Sequence, residues 1–447
     1  MKLSRLDWLL LLTLSVLTYE KLSWSTSVVT LTWTNLLATM FVVSFVVDRI
    51  RHRDGLLHPA AVTLAGFMCA FAAVYLAGYF DLTDKAALSF WLKGVGAWTI
   101  HFAYLILGVA HMVRRGRSLF IRGFYAFTAG IVVNCVYGIL QLGLAIAAGI
   151  NLDSLVVGPL TAGQGGTGGI NVYGTVSGSQ NVYRINALTG DPNHLGVMLC
   201  VPLMALLPYY LGDRRGRRVI GLLLLFMFLV QVLTLSRSAA LGDLAGLLVL
   251  LPALRRFLPS LRTLAIGFGG VAVALAALYE SSHFVRAVLA SRTQVNGGGT
   301  QTHLQFYQLV PPALDPHPLF GMGFNTFAVY YQFITGRTDF GPHSAWIAIL
   351  VETGLVGMAV YLIYFGYLLA SAAAIRRSAD PDISRLGQGL LAALVATAAG
   401  NLFYLTMTFD YFFAVALLAV SGAAMFGPAR SRVPARAPTP TPAGSSP

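Results

Sequence analysis

From end to end the chain alternates apolar runs with short polar breaks. The runs lie near 6–20, 27–48, 57–80, 87–110, 120–150, 194–211, 219–235, 238–253, 263–280, 344–371, 386–405 and 411–427. Most are long enough to cross a hydrocarbon core roughly 30 Å thick. The pattern predicts an all-α integral membrane protein of about twelve transmembrane helices, the fifth long enough to tilt strongly or project from the bilayer. Two long segments interrupt the rhythm. The expected organisation is helices 1–5 over 1–150, a Gly-rich loop over 151–193, helices 6–9 over 194–280, a large loop or helical cap over 281–343, helices 10–12 over 344–427, and a disordered Pro-rich tail over 428–447.

Composition strengthens this reading. The chain of 447 residues is 56% hydrophobic and 11% charged, whereas a soluble domain is roughly a quarter charged. The three cysteines, Cys69, Cys135 and Cys200, lie inside apolar runs without metal-ligand spacing, so neither disulfides nor structural zinc are expected. The N-terminus looks like a signal sequence but has no small-residue cleavage site, and is read as an uncleaved first helix.

The net charge of +13 would suggest nucleic acid in a soluble protein, but here the basic residues sit in short clusters between apolar runs. Seven clusters, from Lys2/Arg5 to Arg430/Arg432/Arg436, hold 22 of the 30 Lys and Arg residues, and all fall on one side of the predicted topology. The positive-inside rule places those loops and both termini in the cytoplasm, and no nucleic-acid partner is expected. Topology gains nothing from the other eight, Lys21, Lys85, Lys93, Arg184, Arg237, Arg286, Arg292 and Arg337. They are therefore candidates for function.

Arg237 stands between two apolar runs with almost no loop, and a guanidinium at the hydrocarbon boundary needs a partner or water. Arg184 precedes Asp191-Pro192-Asn193, a turn that reads as a helix start with Asp191 or Asn193 capping. An arginine beside a helix N-terminus suits an anion, because fork and free amides both match phosphate oxygens. His343 opens the tenth run and is the best general-base candidate among the outer residues. At about 100° per residue Gly354 and Gly357 fall within roughly 40° of the His343 direction, a stripe along which a neighbouring helix can approach closely and hold the histidine rigidly. By the same geometry Glu352 faces the opposite way and is expected to pair inside the bundle. Asp243 is an intramembrane charge without an identifiable partner.

Asn186, Asp191, Asn193, Arg286, Arg292 and His303 are candidate supporting residues. The glycines of 163–169 match neither a dinucleotide nor a Walker fingerprint and read as a flexible linker. Asp380-Pro381-Asp382 lies in a basic loop, and Asp81 and Asp84 in a tight one. No metal or cofactor is therefore expected.

Several of these elements resemble the O-antigen ligase and polymerase superfamily of bacterial inner-membrane glycosyltransferases. Arg237 to Leu241 matches Arg-x₃-Leu, and His343-Ser344 through Gly354 to Gly357 matches His-[Asn/Ser/Gln]-x₉-Gly-x₂-[Gly/Thr/Tyr]. Arg184 through Gly190, Pro192 and Asn193 is similar to an Arg-x₅-Gly-x-Pro-Asn-like element, and Pro316 to Gly323 resembles the stretch that members carry before the histidine. Where relatives often have an arginine near the start of the periplasmic helix, this chain has His303. That leaves Arg286 or Arg292 as third cationic contact.

The resemblance implies a metal-independent, inverting transfer at the periplasmic face of the inner membrane. The donor is an undecaprenyl-pyrophosphate-linked glycan, its pyrophosphate held by Arg184 and Arg237, with His343 as base. A ligase passes the glycan to lipid A-core in lipopolysaccharide biosynthesis. The alternative within the family is an O-antigen or exopolysaccharide polymerase, and from another class a twelve-helix secondary transporter, for which no internal repeat is visible.

Overall fold

The computed structural model describes residues 3–25, 30–53, 55, 57–163, 165–176, 180–212, 216–255, 307–335 and 343–428, with isolated positions between 270 and 282. The described chain is mostly helical, as the apolar runs predict. Helix α1 (Arg5–Val16) opens on a reciprocal cap: the Ser4 hydroxyl accepts from the Asp7 N–H and the Asp7 carboxylate from the Ser4 N–H. Helices α2 (Trp33–His52), α3 (Pro59–Tyr79) and α4 (Lys85–Arg115) follow, then α5 (Arg117–Ala148) and a short α6 (Leu152–Leu160). Helix α7 (Pro192–Gly212) leads into the hairpin of α8 (Arg217–Leu233) and α9 (Arg237–Leu254). The short α10 (Val310–Leu314) and α11 (Phe327–Thr335) precede α12 (Ala345–Ile375), α13 (Pro381–Gly400) and α14 (Asp410–Phe426).

Among the described residues eight helices, α2, α3, α4, α5, α7, α9, α12 and α13, are long and apolar enough to cross a membrane, with α14 a shorter apolar helix. The run at 263–280 falls almost wholly outside the described residues. Helix α13 packs on α7 and α9, and α14 packs on α4 and α12. Residues Asp410–Gly422 of α14 are buried without a break, so α14 is a central post rather than a lipid-facing span.

The bundle has two chemically distinct ends. At one, Asp7 takes both Arg115 and His111 (2.5 and 2.9 Å), Arg117 pairs with Asp380, and Arg385 donates to the Gly212 carbonyl. This end carries the basic clusters that fall on described residues. At the other end lie the loops that carry Arg184, Arg237 and His343.

Two short antiparallel hairpins depart from the all-helical expectation, both at this second end: β1 (Ser23–Ser25) with β2 (Thr30–Thr32), and β3 (Asn171–Val176) with β4 (Gln180–Arg184). The Gly-rich segment is likewise no free linker among its described residues. Lys21 Nζ donates to the Gly169 carbonyl (3.5 Å), Asn151 donates to Thr167 O, and Gly165 N–H donates to Thr161 Oγ1. The glycines let the chain wrap tightly: a Cβ on Gly165 would lie 2.7 Å from the Lys21 carbonyl oxygen.

Helix α12 breaks at Gly354, whose φ of 65° and ψ of −169° lie outside helical space. A break orphans backbone groups on both sides. Here the segment 318–323 takes them: Leu355 and Val356 N–H donate to the Pro318 and Leu319 carbonyls, and Met322 and Gly323 N–H donate to those of Val351 and Glu352. A Cβ on Gly354 would lie 2.3 Å from the Leu319 carbonyl carbon, and one on Gly321, also at positive φ, 2.5 Å from that of Glu352. Gly354 thus admits an extended loop rather than a helix, and the continuous glycine stripe running from His343 is interrupted there.

Candidate active site

Strand β4 delivers Arg184 to the start of α7. Its Nε donates to the carbonyl oxygen of Thr234 (2.8 Å) and its Nη2 to Asn193 Oδ1 (2.7 Å). Thr234 ends α8, where carbonyls have lost their helical donors, so a guanidinium there is doubly favoured by dipole and hydrogen bond. Arg184 is 8% exposed. A second rung, Ile185 N–H to Leu233 O, fixes β4 against the same turn. Asp191 caps α7 through the Asn193 and His194 N–H groups, as the turn predicts, which leaves the Asn193 side chain to hold the arginine.

The α8–α9 turn is tight and strained. Leu235 has φ of 52°, a region costly for a branched-chain residue. Ser236 caps α9 by accepting from Ala239 N–H, and Arg237 follows at the first helical position, exposed. Gly196 lets the turn sit on α7: a Cβ there would lie 2.8 Å from that of Ser236 and 2.9 Å from Thr234 Oγ1. The structure thus brings Arg184 and Arg237 to one turn, three residues apart through Thr234.

His343, partly buried, precedes Ser344, the cap of α12. That cap is fastened to the loop between α13 and α14. Ala345 N–H donates to the Asn401 and Tyr404 carbonyls, and Ser344 Oγ donates to Asn401 O. The Asn401 side chain in turn accepts from Thr406 and Met407 N–H and donates to Thr397 O and Thr406 Oγ1, locking the loop. The half-buried Tyr404 turns its hydroxyl to Asp191. Burial and that carboxylate push its pKa well above the ordinary value, so it stays a donor. Contacts therefore run from Ala345, two residues after His343, through Tyr404, Asp191 and Asn193, to Arg184 and the turn preceding Arg237.

The α13–α14 loop was not singled out from the sequence. The signal was Asn401 and Asp410 at the ends of two apolar runs, which alone reads as ordinary capping. Of the supporting candidates, Asn186 is 4% exposed and its amide is committed to Lys21 Nζ (3.2 Å) and the Gly169 and Gly190 carbonyls. Lys21, conspicuous by topology, is buried against Asp153 at 2.6 Å. One of the eight misplaced cations thereby acquires a structural role, and Lys85 is the first residue of α4, whose Asp84 cap accepts from Ala87 N–H. Asp81 pairs with His317 (3.0 Å), and Glu352 accepts from Phe327 N–H, inside the bundle as expected. Arg286, Arg292, His303 and Arg337 lie outside the described residues.

Beside this cluster Glu20 Oε2 meets His194 Nδ1 at 2.9 Å. Burial raises the Glu20 pKa, and His194 opposes the rise. Among the described residues no group of three or more His, Cys, Asp or Glu side chains has the arrangement of a metal site.

The arrangement presents two guanidinium groups at a helix-terminal turn and an imidazole on an adjacent rigid helix start. Guanidinium groups of this kind suit an anionic group, and an imidazole can accept a proton. Residues 222–362, about a third of the chain, match the family model described as O-antigen ligase. The match includes Arg237, His343 and Gly354, and begins after Arg184. No curated protein matches the chain significantly.

Proposed function

Because the chain belongs to the O-antigen ligase/polymerase superfamily, we propose that it is a ligase moving glycan from undecaprenyl pyrophosphate to lipid A-core at the periplasmic face of the bacterial inner membrane. The observation that carries this reading is the anchoring of Arg184 on the α8–α9 turn that Arg237 follows. Two arginines fixed on one turn suit the two phosphates of a lipid-linked donor.

In this reading an acceptor sugar hydroxyl attacks the anomeric carbon as its proton passes to His343. The bond from that carbon to the diphosphate oxygen breaks with inversion, and undecaprenyl pyrophosphate leaves. The guanidinium groups stabilise the charge that develops on it, a preorganised contact of this kind lowering the barrier by about 2.7–4 kcal/mol. No metal takes part.

The test is transfer in vitro with purified protein, lipid-linked glycan and lipid A-core. His343→Ala should lower the rate by about 10²–10⁴-fold at unchanged protein level, and wild-type activity should survive EDTA. Activity lost to the chelator and restored by Mg²⁺ would overturn the metal-free step. Deleting the gene separates ligase from polymerase. A ligase leaves polymerised glycan on the lipid carrier, whereas single repeats would assign the chain as a polymerase.

A further inference from the structure

A cavity of about 800 Å³ lies between α2, α3, α4, α12 and α14. Arg184, Arg237 and His343 do not line it, but parts of its wall lead toward the site. Glu20 lines it and holds His194, the neighbour of the residue that grips Arg184. Leu405, next to Tyr404, lines it too, as do Ile349 and Glu352 on the α12 segment that His343 precedes.

Its wall has two kinds of chemistry. One side is aromatic: Tyr75 stacks on Phe324 with ring centroids 4.0 Å apart and meets Trp98 edge-on at 5.0 Å. The other is rich in acceptors. Asp410 and Asn35 both lie against His101 Nε2 (3.0 and 2.6 Å), and the second oxygen of Glu20 has no hydrogen-bond partner among the described residues. Three carboxyl groups, Glu20, Glu352 and Asp410, line it with one ammonium, Lys93, and the imidazole of His101.

This lining discriminates among ligands. A phosphate or uronate would meet an excess of carboxyl groups and a single lysine; protonating Glu20 would remove a negative charge without supplying a cation. A bare hydrocarbon chain would strip water from the carboxyl and amide groups and return no hydrogen bonds. A pyranose satisfies both sides. Its C–H face lies on aromatic rings, and its hydroxyls donate to carboxylates and amides. The volume falls in the range of small-molecule sites, roughly 300–1,000 Å³.

We infer that this cavity is a glycan subsite that seats uncharged or amino-bearing sugars of the donor or the acceptor and excludes anionic ones. The inference rests on the proposed transfer reaction, but its first test does not. Saturation-transfer NMR on the full-length protein in detergent, with maltotriose, chitosan trimer and trigalacturonate as probes, should give signals from the first two and at least about fivefold weaker signals from the third.

Trp98→Leu should diminish the neutral-sugar signal, and Glu20→Gln, which keeps the shape, should narrow the discrimination against trigalacturonate. Equal signals from all three sugars, or saturation passing to the alkyl protons of an added polyprenyl phosphate instead of to sugar, would overturn the subsite.

In the transfer assay Trp98→Leu should raise KM about three- to tenfold for whichever substrate places its glycan there. A rise for the lipid-linked donor or for the core acceptor distinguishes the two sources, and no rise for either refutes the subsite while leaving the transfer reading intact. Absence of transfer by the wild-type protein refutes the reaction instead, and the NMR result still decides whether the cavity binds sugar.

Discussion

Arg184 Nε donates across 2.8 Å to the carbonyl oxygen of Thr234, fifty positions along the chain. This bond ties the end of a short hairpin to the turn between α8 and α9, and so places Arg184 beside the start of the helix that carries Arg237. The geometry is that of a planar fork, one arm on a carbonyl and another on Asn193.

Lysine therefore cannot replace it, because a single ammonium cannot span both partners in the same plane. Arg184→Lys should slow glycan transfer by about 10–100-fold, the effect of a lost charge-assisted hydrogen bond of about 1.5–3 kcal/mol. Asn193→Ala should slow it less. Equal activity of Arg184→Lys and wild type would show that the fork is dispensable.

Tyr404 joins the start of α12 to Asp191, its carbonyl accepting from Ala345 N–H and its hydroxyl facing the carboxylate. Tyr404→Phe keeps the ring and the backbone contact but removes the donor. The expected result is a fall in turnover of about tenfold with little change in thermal midpoint, measured as transfer rate and melting on the same preparation. A large loss of stability with normal specific activity would assign the hydroxyl to folding alone.

Gly354 and Gly321 hold positive φ where two backbones touch. Gly354→Ala should cost more than the roughly 1–3 kcal/mol of a strained φ, since the added Cβ would also overlap Leu319. Gly366, in the same helix, has open space around its missing Cβ, so Gly366→Ala should leave the melting midpoint unchanged or slightly raised. Similar melting of the two variants would contradict the loop insertion.

Lys21 and Asp153 form a buried pair in which the carboxylate also accepts from Tyr137 (2.7 Å) and Gln141 (3.0 Å). Lys21→Met should destabilise the protein by about 3–5 kcal/mol by leaving a buried charge unpaired. Adding Asp153→Asn should recover much of the loss in a double-mutant cycle of thermal midpoints. Additive losses would mean that the pair is not coupled.

The sequence by itself determined the membrane class, the positions of most helices, and the end of the bundle to which the basic clusters belong. Those features follow from local composition: an apolar run of sufficient length has to bury its backbone polar groups as helix, and clustered arginines sort to one side. It also singled out Arg184, Arg237 and His343, because a charge that topology does not need stands out along a one-dimensional pattern. Asp191 as a cap was legible for the same local reason.

Only the tertiary structure decided how these groups meet. No periodicity reveals that Arg184 bonds to Thr234, or that Lys21, as misplaced by topology as Arg184, is consumed by Asp153 inside a wrapped glycine loop. Helical spacing carried from His343 to Gly354 failed at Gly354, because the loop 318–323 stabilises a break that the local sequence does not announce. Asn401 and Tyr404 look like the ordinary end of an apolar run until their carbonyls are seen on Ala345 N–H. The local energies that set helices are read along the chain, whereas the partners of a buried polar group are chosen by what the packed bundle brings near.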